Sequence, residues 1–263
     1  MTTDKNTWPV GVFDSGIGGI SVLAEMVKRL PDEKYVYMAD SANAPYGTKS
    51  CDCVLDISLN AAGFLAGKGI KALVVACNTA TSVAINRIRD TLSIPVIGIE
   101  PALKPAVENR GNGAIAVMAT PLTLQEEKFI SLYRRYNTDA TIIPVPCPGL
   151  MELIESEPPL EAVKLYLEDI FDSLPPPEIS SVVLGCTHYC FIRKEIAEVL
   201  PVGVRIFDGN EGTVRHLART LQSGGILAPR AEPNRSPEVE FFSSGDPDRM
   251  IPLCRRFLEK SLL

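Results

Sequence analysis

The chain is short of several things that would fix a function class at once. It has no long Lys/Arg run. Its formal charge is −6, from 26 Lys and Arg against 32 Asp and Glu. That balance argues against broad electrostatic binding to DNA, while leaving room for a local basic patch. The opening stretch MTTDKNTWPV has no apolar h-region, so no signal peptide is expected. The most apolar segment, residues 61–77, is interrupted by Lys68 and Lys71, and no stretch is long enough to span a bilayer. A cytoplasmic protein that makes no membrane contact is the expectation. The seven cysteines are odd in number and lack a disulfide-framework spacing, so they read as reduced thiols. Cys51, Cys53, Cys147 and Cys254 are assigned the default role of small hydrophobes. Neither a full dinucleotide fingerprint nor a Gly-Lys-Ser/Thr phosphate loop is present.

What is present is strand–helix alternation over 263 residues, 46% of them hydrophobic. Short, Val- and Ile-rich, largely non-alternating runs at 10–13, 35–38, 72–77, 96–99, 114–118, 141–145, 181–185, 204–207 and 239–242 read as strands covered on both faces. Between them, Val22, Leu23, Met26, Val27 and Leu30 recur at helical spacing, with Glu25, Lys28 and Arg29 outside and Pro31 as a stop. Residues 83–92, 122–136, 160–174, 191–200 and 211–221 follow the same period. The pattern predicts an α/β fold of two pseudo-symmetric α/β domains with mainly parallel sheets and an active site in the cleft between them. The expected division is 1–98 plus 209–263 for one domain and 99–208 for the other, with hinges at 98–101 and 208–212. The Pro-rich segments 175–177 and 229–237 read as surface connections.

Two thiols stand out. Cys77, in Val-Val-Ala-Cys77-Asn78-Thr79, and Cys186, in Val-Val-Leu-Gly-Cys186-Thr187-His188, each close a β-branched run and precede polar residues. A strand that ends in a thiol holds sulfur at the mouth of a sheet, where a helix N-terminus or a cation lowers its pKa. Two such ends predict two thiols facing one site, as a cofactor-free racemase requires. Asp14-Ser15-Gly16-Ile17-Gly18-Gly19 follows a strand and opens a helix, a place for a carboxylate ligand, with Asp14 meeting an ammonium group or a thiol. A tight turn capped by Asp14 is the competing reading. Pro45-Tyr46-Gly47 is a rigid turn that can present amides and a phenol. His188, one of two histidines, lies two residues from Cys186. Cys186-x-His188-x-Cys190 with Cys51-x-Cys53 raises structural zinc, but neither spacing matches a zinc knuckle, so no metal is expected.

DSGIGG, PYG, ACNTA and GCTHY, in that order, resemble bacterial glutamate racemase, within the aspartate/glutamate racemase superfamily. The resemblance continues through EPALKPA at 100–106, CPGLMELIE at 147–155 and FFSSGDPDRM at 241–250, so it covers nearly the whole chain. It implies cofactor-independent interconversion of L- and D-glutamate by two-base proton transfer at Cα, supplying D-glutamate for peptidoglycan. It also implies Cys77 as base toward D-glutamate and Cys186 as base toward L-glutamate. Asp14 would assist on the Cys77 side and His188 on the Cys186 side, with Glu155 a further candidate there and Glu152, one helical turn away, its competitor. Asp14, Ser15, Tyr46, Gly47, Asn78, Thr79, Thr120, Thr187 and His188 would bind the amino acid. The family is often dimeric, which brings a homodimer into consideration.

Three positions depart from the family's pattern: Cys190 replaces the Pro that commonly follows His-Tyr, Ser41-Ala42-Asn43 replaces Thr-Ala-Arg, and Ala119-Thr120 stands where Gly-Thr is frequent. Two alternatives accompany the reading. One is a racemase of aspartate or another acidic amino acid on the same scaffold. The other is a non-catalytic, gyrase-regulating role of the kind some family members have.

Overall fold

A computed structural model describes residues 5–109, 111–157, 159–174, 178–230 and 238–263. The expected connection at 175–177 and most of that at 229–237 therefore lie outside the described residues. In chain order the elements are β1 (Val10–Asp14), α1 (Ile20–Arg29), β2 (Lys34–Ala39), α2 (Cys51–Gly67), β3 (Ala72–Val75), α3 (Asn78–Thr91), β4 (Val96–Gly98), α4 (Leu103–Glu108), β5 (Ala114–Ala119), α5 (Pro121–Gln125), α6 (Glu127–Tyr136), β6 (Ile142–Pro146), α7 (Leu150–Glu155), α8 (Leu160–Asp172), β7 (Ile179–Leu184), α9 (Arg193–Val199), β8 (Arg205–Asp208), α10 (Asn210–Ser223), β9 (Glu238–Ser243) and α11 (Pro247–Leu262). All nine expected strands form, each within two residues of its expected ends.

The strands make two parallel sheets, ordered β4-β3-β1-β2-β9 and β6-β5-β7-β8. In the first, Val10, Val12 and Tyr37 pack under α1, α10 and α11, while Phe13, Val36 and Val75 pack under α2 and α3. In the second, Ala116, Val182 and Leu184 face α7 and α8, while Ile115, Val117 and Val183 face α4 and α6. Each sheet is thus covered on both faces. This is why its strands are continuous apolar runs and not alternating ones. At roughly 25 cal/mol per Å² of apolar area removed from water, side chains such as Val12, Phe13 and Val183, with no exposed surface, contribute about 1.5–3 kcal/mol each.

Several local features differ from the expected pattern. The helix expected at 83–92 starts at Asn78, because Cys77 caps it: Cys77 Sγ accepts from Ala80 N at 3.4 Å. The helix expected over 122–136 is broken at Glu126, which is extended (φ −74°, ψ 140°). The break lets α5 turn Thr123 toward Thr79 and α6 turn Phe129 into the second sheet's core. The helix expected over 191–200 is two pieces, a 3-10 helix at Thr187–Ile192 and then α9.

Candidate active site

The parallel strands all end at one edge of their sheet, and the chemistry-bearing residues sit on those ends. Asp14 closes β1, Asp40 follows β2, Cys77 follows β3, Thr120 follows β5, Cys147 follows β6 and Cys186 follows β7. Open α/β sheets bind ligands at these carboxyl ends.

The segment after β1 joins the two sheets. Asp14 has no exposed surface. Its Oδ1 accepts from Gly16 N at 2.8 Å and its Oδ2 from Thr187 Oγ1 at 3.0 Å. Burial pushes the Asp14 carboxyl up, opposed by the charge of His188 and by these two hydrogen bonds. Ser21 Oγ donates to Gly18 O and to Thr187 O, tying the start of α1 to the same turn. The glycines are required by close approach: a Cβ on Gly16 would lie 2.3 Å from Glu155 Oε1, and one on Gly18 would lie 2.3 Å from His188 Nδ1.

The two thiols are buried, 6% exposed at Cys77 and 8% at Cys186, but their partners differ. Cys77 Sγ donates toward Ser15 Oγ at 3.8 Å and accepts from Ala80 N. Burial pushes this thiol up to about 12, helped by the negative charges of Asp14 and Cys186 and only partly offset by the Ala80 and Ser15 contacts. Capping a helix therefore does not lower it, contrary to the expectation for a thiol at that place. Desolvation outweighs the helix dipole, which is worth about 0.3–1 kcal/mol in exposed settings. Cys186 Sγ instead lies 3.8 Å from His188 Nδ1, and His188 Nε2 lies 2.8 Å from Glu155 Oε1, which also accepts from Ile17 N at 3.3 Å. Burial opposes charge on His188. The contacts with Cys186 and Glu155, and the charges of Cys186 and Asp14, outweigh it and hold the imidazole well above its usual range. Glu155 is the counterpart. Burial alone would raise it, but the His188 contact and charge, with Ile17 N and Arg249, bring it below the ordinary carboxylate value.

The geometry selects Glu155 rather than Glu152 as the partner of His188. The chain turns into α7 at Gly149, whose φ of 77° is left-handed, and α7 buries Leu150, Met151 and Ile154. Glu155 lies one turn beyond Met151 on that inward side.

A third group crosses between the sheets. The hydroxyls of Thr79, Thr120 and Thr123 form a triangle with sides of 2.8–3.0 Å. Thr123, which has no exposed surface, was not among the expected residues. Its signal was available: Thr120-Pro121 is a helix N-cap followed by Pro at the first helical position, which places residue 123 at the capped amide. Gly47 abuts this group, since a Cβ there would lie 2.7 Å from Thr120 Cβ. Tyr46 is buried with its hydroxyl donating to Asp40 Oδ2, and Asn43 Nδ2 donates to both Asp40 oxygens. Asn78 is buried at the first position of α3, and its Oδ1 has no protein partner among the described residues. Among the expected residues, direct contacts join Ser15 to Cys77, Asp14 to Thr187, Cys186 and Glu155 to His188, and Thr79 and Gly47 to Thr120, while Tyr46 is turned toward Asp40.

The remaining thiols are scattered. Cys147 donates to Val145 O, and burial pushes it up to about 12. Cys190 accepts from Asn210 Nδ2 at 3.7 Å, and Cys51 and Cys53 are exposed at the start of α2. No group of three or more His, Cys, Asp or Glu that could hold a metal occurs among the described residues. Nor is any helix among them long and apolar enough to cross a membrane. A cavity of about 1190 Å³ lies between α1, α10 and residues 98–105; Cys190 borders it, whereas Cys77 and Cys186 do not. Beside Cys186, the Gly16–Gly18 turn packs directly on His188 and Glu155.

Two buried thiols thus stand at strand ends of separate parallel sheets, bridged by the acidic turn after β1. Residues 11–217 match the family model described as Asp/Glu/Hydantoin racemase. The chain is 51% identical over 249 residues to a glutamate racemase of Clostridium botulinum (strain Okra / Type B1), covering 94% of this chain and 96% of that one. Its fold is similar to the crystal structure of glutamate racemase isoform RacE1 from Bacillus anthracis, with a TM-score of 0.85, 32% identity and coverage of 97% and 95%. It is also similar to glutamate racemase from Francisella tularensis in complex with D-glutamate, with a TM-score of 0.81, 27% identity and coverage of 97% and 94%. The chain belongs to the Asp/Glu/hydantoin racemase family, in its glutamate racemase branch, and is an amino-acid isomerase.

Proposed function

We propose that this chain interconverts L- and D-glutamate by proton transfer at Cα between two thiols, without a cofactor, and supplies D-glutamate for peptidoglycan in the cytoplasm. The observation that carries the reading is the pair Cys77 and Cys186, each buried at a strand end of its own sheet and each with its own proton partners. The two bodies that close on the substrate are 1–98 with 209–263, and 99–208.

In this mechanism Cys186 takes the proton from L-glutamate and Cys77 takes it from D-glutamate, while the opposite sulfur protonates the other face. The two sulfurs have different partners. The Cys77 thiol, pushed up to about 12, keeps its proton at neutral pH and is the ready donor. On the other side, Cys186 Sγ touches His188 Nδ1, and His188 Nε2 in turn meets Glu155, a path along which a proton can be passed. Carbanion character at Cα is spread into the substrate carboxylate. The donors that would meet that carboxylate are Ser15, Asn78, Thr79 and Thr120, with the Tyr46–Gly47 turn closing over them and Thr187 acting through its hydrogen bond to Asp14. Asp14 receives the substrate ammonium group. Its carboxylate is already oriented by Gly16 N and Thr187. An opposite charge beside a buried acid offsets part of the cost of keeping that acid ionised out of water.

The test is direct. Purified protein is incubated with L-glutamate in D₂O, and D-glutamate formation and deuterium at Cα are followed. Both should appear, and Cys77→Ser and Cys186→Ser should each abolish racemisation. Activity on aspartate exceeding that on glutamate, or an active single-thiol variant, refutes the reading.

A further inference from the structure

The C-terminal helix α11 belongs to the first sheet, through β9 and its pairing with β2, yet it touches both segments of the second sheet that carry the His188–Glu155 pair. The Phe257 ring meets Phe191, in the 3-10 helix that bears His188, edge-on at 4.6 Å between centroids. Arg256 forms an ion pair with Glu157, and Lys260 Nζ lies 3.7 Å from the same carboxylate. Glu157 follows α7 by two residues. It is the one non-glycine residue with positive φ among those described, at 48°. A glutamate in the left-handed region is held there by its surroundings. From the first turn of α11, the charge of Arg249 also helps keep Glu155 ionised.

We propose that Glu157, clamped by Arg256 and Lys260, is a positioning residue. By fixing the end of α7 against α11, it holds Glu155 on His188 Nε2 and Ile17 N, and so keeps the relay behind Cys186 assembled when the two lobes are closed. The inference rests on the reading of His188 and Glu155 as the proton partners of Cys186. The charged groups around the clamp are Arg256 and Lys260 facing Glu157, and His188 and Arg249 facing Glu155. The clamp is surface-exposed, with side-chain accessibilities of 40% for Glu157, 50% for Arg256 and 62% for Lys260, so salt screens it, unlike the buried His188–Glu155 contact.

The test uses the full-length protein and steady-state kinetics with L- and with D-glutamate, in low and high NaCl. Arg256→Met and Glu157→Asn are the clamp variants; Asn tolerates the left-handed backbone while lacking the charge. Each should lower kcat about fivefold with KM within about twofold, because the exposed pair is weak and the substrate's own ligands are untouched. Wild-type kcat should fall with salt, and the variants should lose that dependence. Arg256→Lys should restore wild-type behaviour, and Lys164→Met, which breaks the remote Lys164–Glu198 pair, should keep it. Wild-type kcat and salt dependence in both clamp variants overturn the proposal, as does a loss that Arg256→Lys fails to repair. Glu155→Gln separates the two levels. If it leaves kcat intact, the reading of the relay fails and the clamp's role fails with it. If it lowers kcat while the clamp variants match wild type, only the clamp is refuted.

Discussion

Gly18→Ala adds one methyl group at the point where the turn after β1 meets the second sheet. The new Cβ would lie 2.3 Å from His188 Nδ1, 2.4 Å from Thr187 Oγ1 and 2.7 Å from His188 Cε1, where ordinary contact begins at 3.4 Å. Relief needs a movement of roughly 1 Å, and His188 cannot supply it alone, because it is buried and held by Glu155 at 2.8 Å. The turn must therefore lift, or the lobes must stand apart. A misplacement of roughly 1 Å at a reacting constellation costs about 10²-fold in rate. The backbone at Gly18 does not have positive φ, so alanine is acceptable there in itself and the two sheet cores stay intact. Racemisation followed by circular dichroism should show kcat/KM down about 10²-fold, with a thermal midpoint close to wild type. Gly63→Ala, in mid-α2 with nothing within 4 Å of the added Cβ, is the control. It should leave activity unchanged and stabilise the protein by about 0.5–1 kcal/mol. A Gly18→Ala protein with more than about a third of wild-type kcat/KM would show that the turn is not in tight register with His188 during turnover.

Three further outcomes follow from other parts of the molecule. Thr123→Val should lower kcat/KM about tenfold, mainly through KM, because Thr79 and Thr120 lose their shared buried partner; an unchanged KM removes the threonine triangle from substrate binding. Lys71→Met strands Glu33, whose carboxylate otherwise meets Lys71 Nζ and accepts from Ala228 N, so urea unfolding should report a loss of about 3–5 kcal/mol. A loss of under about 1 kcal/mol would mean the pair is dispensable. Burial holds the Cys254 and Cys147 thiols up to about 12, above the ordinary 9.0. The folded state therefore keeps protons that the unfolded chain releases. This stability is intact below pH 9.0 and is lost as pH rises toward about 12, at about 1.4 kcal/mol per pH unit per thiol. Urea midpoints should fall above pH 9.0, less steeply in Cys254→Val, and equal slopes in the two proteins would refute the assignment.

The strands were legible because parallel strands buried on both faces leave continuous apolar runs such as 72–77 and 181–185. The same fact made the thiols legible: a strand of this kind ends abruptly at the ligand-binding edge, and Cys77 and Cys186 stand at such ends. Other features were hidden for physical reasons. The C-terminal helix α11 carries Pro252, a residue that argues against a helix interior, yet Pro247 and the Asp246 cap start it and Met250, Cys254, Phe257 and Leu258 bury one face. The helix break at Glu126 leaves no Gly or Pro signal, since it is imposed by the separate burial of Thr123 and Phe129. Choosing between Glu152 and Glu155 required the phase of a helix only six residues long.

The same strand-end frame ends in two different proton environments, and the difference lies in what each sulfur touches. Cys77 meets a hydroxyl and an amide, neither of which can hold a full charge, so burial and the nearby Asp14 keep it a thiol. Cys186 meets an imidazole backed by a carboxylate, a pair whose net charge changes little when a proton moves through it. Asp14 does not sort cleanly onto the Cys77 side: its Oδ2 accepts from Thr187, next to Cys186, while its charge raises Cys77. In the proposed reaction one turnover from L-glutamate leaves the proton on Cys186 and a negative sulfur at Cys77, the form that burial disfavours. The resting arrangement is regained only when a proton comes back to Cys77 from solvent or from the next D-glutamate. Solvent deuterium should then enter D-glutamate formed from L-glutamate through Cys77 on every turnover, because the proton that left the substrate sits on the opposite sulfur.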